Sequence, residues 1–174
     1  MLNLLTTSWI QFMTHDWFSH GARSASRPHK MKDGMSIKRT RPDKSHNSKS
    51  KTAKTFTNTE THWWDGSQIY GSSIKNHKKA RVANADGTNA KCELKLGKDG
   101  WLPLDSSGLE VTGFRDNWWV GLAMLHNLFV KEHNYLCTQL RAWYPGKYDE
   151  HQLYNKARLI NAALMAKIHT IEWT

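Results

Sequence analysis

The chain has 174 residues, two cysteines, a formal charge of +10 and a pI near 9.7, which allows one ordinary core and does not demand a second domain. Cys92 and Cys137 are too few and too unpatterned for a disulfide framework or a zinc site, so a reducing, intracellular compartment is expected rather than secretion. No apolar run reaches the roughly 18 residues that span a bilayer, Met1 to Leu5 carries neither a basic leader nor a cleavage-like site, and the positive charge suits an anionic partner without choosing one.

In chain order, Leu2, Leu5, Trp9, Phe12, Met13 and Trp17 fall at the three-and-four spacing of a buried helix, while Ser8, Gln11 and His15 share another face. Residues 23–54 turn abruptly to Lys, Arg, Ser, Thr and Asn with no period, and read as an exposed, disordered insertion loop. Thr55 to Ser73 reads as an extended loop entering a turn. Lys75 to Gly113, punctuated by Gly87, Gly97, Gly100, Pro103 and Gly108, reads as short strands and turns. Trp118, Leu122, Leu125, Phe129, Leu136, Leu140 and Trp143 then mark one face of a strong helix that Pro145-Gly146 ends. A second helix opens at a capping box of Asp149 with Gln152 and keeps its spacing through Leu153, Ala157, Ile160, Leu164, Ile168 and Ile171. The chain is expected to be mainly α.

Four constellations offer chemistry. Gln11 and His15 lie one helical turn apart and can enter one cavity from the same wall, where an imidazole beside an amide can move a proton between two oxygens; the plain alternative is a core histidine bonded to a carbonyl. Thr61, Trp63, Asp65 and Ser67 alternate, so an extended chain brings them to one side, and with Asp16 their oxygens would form a hard cage for Ca²⁺; the alternative is an ordinary turn tipped by Asp65-Gly66. Arg115, at the head of the strong helix, can hold an anion in a cavity or stand in solvent. His169 and Thr174 together can bond a carboxylate, although five residues on an α-helix leave them about 140° apart. Lys38 to Lys54 invites a nucleic-acid reading, but it lacks interleaved aromatics, so no specific nucleic-acid partner is expected.

These segments, in this order, resemble the animal-type haem peroxidases and, within them, the fatty-acid α-dioxygenases. Trp9-Ile10-Gln11-Phe12-Met13-Thr14-His15-Asp16-Trp17 resembles the distal-histidine helix, and Trp63-Trp64-Asp65-Gly66-Ser67 with Ile69-Tyr70-Gly71 resembles the calcium loop. Leu128-Phe129-Val130-Lys131-Glu132-His133-Asn134 is similar to the long helix after the distal arginine, and Ala166 to Thr174 to the α-dioxygenase substrate helix. The resemblance implies a partial haem peroxidase-like helical domain over residues 1–174, with long irregular loops and the basic insertion. By position it makes His15 the distal histidine, Gln11 its companion and Arg115 the arginine of the haem cavity. Asp16, Thr61, Trp63 through its carbonyl, Asp65 and Ser67 become calcium ligands, and His169 and Thr174 the holders of the fatty-acid carboxylate. The carboxylates that esterify haem in some members would fall at Thr14 and Trp118, so non-covalent haem b is implied.

The family's proximal histidine, and the radical-bearing tyrosine three residues before it, would lie beyond Thr174, and the chain is expected to contain no Tyr-x-x-His pattern to replace them. His126, His133 and His151 are assigned packing or surface roles. The implied reaction is abstraction of a hydrogen next to the fatty-acid carboxylate by a tyrosyl radical and addition of O₂ to give a 2-hydroperoxy acid, peroxide having oxidised the haem. The 174-residue chain alone is expected to bind haem poorly and to be inactive. Two rivals stand: a haem peroxidase reducing hydrogen peroxide with small reductants, and a non-catalytic basic protein that binds RNA or a membrane surface.

Overall fold

The computed structural model describes residues 3–20, 25–30, 36–40, 42–43, 53–83 and 90–173, and the chain divides into two compact units, residues 18–61 and the remainder. The larger unit contains helices α1 (Leu4–Trp17), α2 (Ser67–Tyr70), α3 (Ile74–Ala80), α4 (Val120–Trp143) and α5 (Glu150–Lys167), followed directly by a π-helix, Ile168–Trp173. Its only named sheet among the described residues is a small antiparallel pair; the fold is mainly α, as expected.

The apolar spacing of α1 is realised as burial. Trp9, Phe12 and Met13 are all buried, and Asn3 begins the helix by accepting the backbone N–H of Thr6 at 3.0 Å. Against this face α4 sets Leu122, Leu125, Phe129 and Val130, with Phe12 and Phe129 stacked at 5.3 Å. Helix α5 adds Leu153, Ala157 and Met165 from the other side of α4. Each such side chain removed from water contributes about 1.5–3 kcal/mol, so the three long helices cohere through one shared core. The expected apolar face holds in the centre of α4 but not at its ends: Trp118, just before the helix, and Trp143, its last residue, are exposed, and the Trp118 indole N–H donates to the Glu110 carboxylate.

The capping box forms as read. Asp149 accepts the N–H of Gln152 at 2.7 Å, and the Gln152 side chain accepts the N–H of Asp149 at 3.1 Å. The turn before it relies on Gly146 at φ 69°, a left-handed geometry that glycine adopts without a Cβ clash. Ile160 and Ile171, which continue the apolar spacing, are exposed.

Several expectations are corrected. The end of the segment read as a loop and turn, Thr55 to Ser73, contains α2, and the stretch read as strands and turns contains α3, begun by Ser73 accepting the N–H of Asn76 at 3.3 Å. Helices this short carry too few residues to show a period. Strands do follow, with β3 (Arg81–Ala83) antiparallel to β4 (Ala90–Leu94). Most consequentially, Cys92 and Cys137 are bonded to each other. The bridge ties β4 to α4 across 45 residues of sequence, a closure worth about 4 kcal/mol through the unfolded chain, and it removes the premise on which a reducing compartment was expected.

The smaller unit pairs β1 (Ala25–Lys30) with β2 (Ser36–Thr40) antiparallel. Those parts of the basic insertion are therefore a ladder of backbone bonds and not an irregular loop; residues 31–35 and 44–52 lie outside the described residues. Ser19 accepts from Thr59 N–H at 2.7 Å and donates its own N–H to Asn58 at 2.8 Å, closing this unit on itself.

Candidate active site

Helix α1 presents His15 and Asp16 consecutively, so they point to different neighbours. The His15 ring is only 6% exposed and meets Phe114 edge-on at 4.6 Å; its Nδ1 has no hydrogen-bond partner among the described residues. Burial holds this imidazole below its ordinary pKa, opposed by the charge of Asp116, so the ring is neutral near pH 7. Gln11, one turn earlier, is committed at both ends of its amide: Nε2 donates to the Asn117 carbonyl at 3.0 Å, and Oε1 accepts the Trp119 indole N–H at 2.6 Å. Arg115 is committed as well, donating to the carbonyls of Leu109 (3.1 Å) and Glu110 (2.8 Å) and to the Asp105 carboxylate. Phe114 joins the two regions, because it touches His15 and lines, with Arg115 and Asp116, a groove of about 550 Å³.

On the other side of the helix, Asp16 Oδ1 accepts the backbone N–H of Ser67 at 2.7 Å and its hydroxyl at 3.1 Å, and Asp65 Oδ1 reaches the same N–H at 3.2 Å. Asp16 Oδ2 is buried without a hydrogen-bond partner among the described residues. Burial pushes the Asp16 carboxyl up to about 7, the Ser67 bonds opposing and the Asp65 charge adding to the rise. Two carboxylates converging on one N–H form a like-charge pair that a hard cation would relieve. Arg158 steadies the loop by donating to the Asp65 carbonyl at 3.0 and 3.1 Å. The Trp63 carbonyl accepts the Asp65 N–H at 2.9 Å. Thr61 belongs to the smaller unit.

What positions this loop is backbone contact with the segment before Arg115. Gly113 N–H donates to Ile69 at 3.0 Å and Phe114 N–H to Gln68 at 3.0 Å. Gly113 lies so close to the Gly71 nitrogen and the Ser67 carbonyl that a Cβ would collide with backbone. The order Asp16, Ser67, Gly113, Phe114, His15 is thus a closed circuit of contacts.

His169 sits in a box of indoles: Trp9, Trp17, Trp64 and Trp173 have ring centres 5.0–6.4 Å from its own. Trp9 Nε1 donates to His169 Nδ1 at 3.2 Å. An indole N–H can only donate, so Nδ1 is the acceptor and the imidazole carries its proton on Nε2, where it can serve an anion. The π winding bonds i to i+5 and alters the 3.6-residue phase on which the 140° separation was reckoned. Thr174 lies outside the described residues.

Two further features bear on the site, the first of them the packing role read for His126. His126 on α4 is fully buried, 5.5 Å from Phe12, and neither ring nitrogen has a partner among the described residues; burial, then the neighbouring His15, pushes it down to about 3. An imidazole on an apolar face gives no signal beyond packing. The expectation that no Tyr-x-x-His spacing occurs is also corrected, since Tyr148-Asp149-Glu150-His151 has it. Its residues start α5, where Asp149 is the cap and exposed His151 bonds Asn155 at 3.1 Å, so it serves the helix end and not the His15 region.

Helices enclosing a buried histidine back to back with a paired-carboxylate loop describe a peroxidase-type scaffold, and the comparisons agree. All of residues 1–174 match the animal haem peroxidase family, and the chain belongs to it. It is 39% identical over 183 residues to alpha-dioxygenase 2 of Arabidopsis thaliana and 40% identical over 181 residues to alpha-dioxygenase PIOX of Nicotiana tabacum, covering 99% of this chain and 27% of each relative. The crystal structure of Arabidopsis thaliana fatty acid alpha-dioxygenase aligns with a TM-score of 0.77 at 32% identity, over 97% of this chain and 27% of that one. An Oryza sativa fatty acid alpha-dioxygenase variant crystallised with palmitic acid aligns at a TM-score of 0.78 and 33% identity. The chain therefore spans about a quarter of the length of the relatives it matches.

Proposed function

We propose that this chain supplies the distal-histidine portion of a haem-dependent fatty-acid α-dioxygenase, which adds O₂ at the carbon next to a fatty-acid carboxylate to give a 2-hydroperoxy acid. One observation carries the reading: the Trp9 to His169 hydrogen bond seats the C-terminal π-helix on the helix that bears His15. A head-group donor and a proton-transfer group are thereby held on one scaffold, as chemistry at the carbon beside a carboxylate requires.

Family membership implies haem, which when bound supplies the oxidising chemistry. The residues fit that group through His15, whose buried imidazole has its Nδ1 without a hydrogen-bond partner among the described residues. His15 takes a proton from one oxygen of a peroxide and returns it to the other, a role that needs a neutral ring at working pH. Gln11 orients through Asn117 and Trp119, and Arg115 keeps the groove wall in place through Asp105. His169 Nε2–H, with Thr174, anchors the carboxylate. Asp16, Asp65, Ser67 and the Trp63 carbonyl would hold a calcium ion; Asp16 Oδ2, which has no hydrogen-bond partner among the described residues, and the two carboxylates meeting at one N–H suit it. Bracing Asp16 braces its neighbour His15.

The test is a chimera in which residues 1–174 replace the matching quarter of the Arabidopsis thaliana enzyme. Palmitate-dependent oxygen uptake, abolished by His15→Gln, is expected. Oxidation of guaiacol without any palmitate-dependent uptake would instead assign a plain haem peroxidase.

A further inference from the structure

We propose that Cys92, Cys137 and His133 form a thiolate metal site that takes one zinc ion when the bridge between the cysteines is reduced. The two Sγ atoms and His133 Nε2 lie within 4.8 Å of one another, and all three residues are buried. His133 and Cys137 are four apart on α4 and share its face. Cys137 Sγ is 3.5 Å from His133 Nε2. Tetrahedral zinc, with Zn–S near 2.3 Å and Zn–N near 2.0–2.1 Å, separates a sulfur and a nitrogen ligand by about 3.5 Å and two sulfurs by about 3.8 Å. The Cys137 and His133 atoms already stand at that separation, and the sulfur pair has to part.

Reduction would not scatter these ligands, because β4 is fastened to α4 and α5 independently of the bridge. The Asn134 side chain clasps Leu94, accepting its N–H at 2.7 Å and donating to its carbonyl at 2.9 Å. Arg141 holds Glu93 at 2.9 Å, and the Cys92 N–H donates to Glu150 at 2.6 Å. Cys92 stays opposite Cys137 whichever form the sulfurs take.

The imidazole is prepared for the same change. In the bridged form Nε2–H donates to the Cys92 carbonyl at 3.0 Å, so Nδ1 accepts from the Tyr70 hydroxyl at 2.9 Å. When Nε2 becomes a ligand the proton moves to Nδ1 and donates to the Tyr70 oxygen, the kind of outer partner that metal-bound histidines keep. Asn161 Nδ2, bonded to that oxygen at 2.9 Å, fixes where it stands.

The chemistry balances. An external dithiol gives two electrons and two protons to the bridge, leaving two thiols and itself becoming a disulfide. Zinc then displaces both thiol protons, and two thiolates with one neutral imidazole make an uncharged complex, which burial does not penalise as it would an ion. A water or the Cys92 carbonyl oxygen completes four-coordination. Soft sulfur donors select zinc over the hard cations suited to Asp16 and Asp65.

The experiment reduces the 174-residue chain with a dithiol under argon, removes the reductant and titrates Co²⁺, then Zn²⁺. Expected are one Co²⁺ per chain with a thiolate-to-cobalt charge-transfer band, its displacement by zinc, and a roughly tenfold or greater slowing of thiol alkylation by iodoacetamide once zinc is bound. The bridged chain should take up neither ion at this site. Zinc uptake by the reduced chain no greater than that of the Cys92→Ser/Cys137→Ser double variant, or alkylation unaffected by zinc in the unmutated chain, overturns the proposal. So does loss of the helical circular-dichroism signal on reduction with no recovery on adding zinc.

Discussion

Trp9 and His169 stand 160 residues apart in sequence and 3.2 Å apart across one hydrogen bond. The bond decides which imidazole nitrogen carries the proton. Trp9→Phe should release that choice at a cost on the order of 1 kcal/mol for the bond, plus a smaller amount for the lost ring area. Nitrogen-15 NMR of the His169 ring should show the Nε2–H form in the parent and a mixture in the variant. An unchanged single tautomer would remove Trp9 from its positioning role.

The shared N–H of Ser67 leads to a second test. If calcium occupies the Asp16 and Asp65 site, Ca²⁺ at a hundredfold excess over its Kd adds about 2.7 kcal/mol to stability, and EGTA removes it. Asp16→Asn keeps an oxygen for the Ser67 N–H but deletes one charge of the pair. Melting curves should show the variant more stable than the parent in EGTA and indifferent to Ca²⁺. Equal melting temperatures of the parent with Ca²⁺ and with EGTA would end the calcium reading.

Tyr70 bonds both His133 and Asn161 within the core. Tyr70→Phe leaves His133 Nδ1 without its donor, while Asn161 retains the Phe129 carbonyl at 3.0 Å. Urea titration should register a loss of roughly 1–3 kcal/mol, the cost of one buried unsatisfied group.

His126 predicts the acid limb of stability. Its folded-state pKa falls from 6.5 to about 3, so between those values the unfolded chain binds the proton and the folded chain does not. Stability attributable to this residue is present above pH 6.5 and is lost as pH falls, by up to about 1.4 kcal/mol per unit. His126→Leu removes that slope and two unpartnered ring nitrogens. Unfolding titrations at pH 7 and pH 5 should therefore separate less in the variant than in the parent; an identical separation would show that His126 titrates normally.

Much was legible before any coordinates. The spacing of Trp9, Phe12 and Met13, the Asp149 and Gln152 box and the stop at Pro145-Gly146 are local signals, carried by residues within a turn or two of one another. The motifs around His15, Asp65 and His169 likewise identified the family, because side-chain chemistry at short spacing is written along the chain. Helices α2 and α3 were not legible, since their few residues are made helical by a cap and by contact with the Gly113 backbone.

The sequence alone determined the long helices, the family, and which side chains are candidates for proton, metal and carboxylate chemistry. Only the tertiary structure decided that Cys92 meets Cys137, that Arg115 is engaged by Asp105, that Asp16 and Asp65 share one N–H, and that Trp9 sets the tautomer of His169. Periodicity reports which face of an element is buried. It carries no record of which distant atom waits on the other side, and hydrogen bonds and sulfur bridges depend on that atom within a few tenths of an ångström.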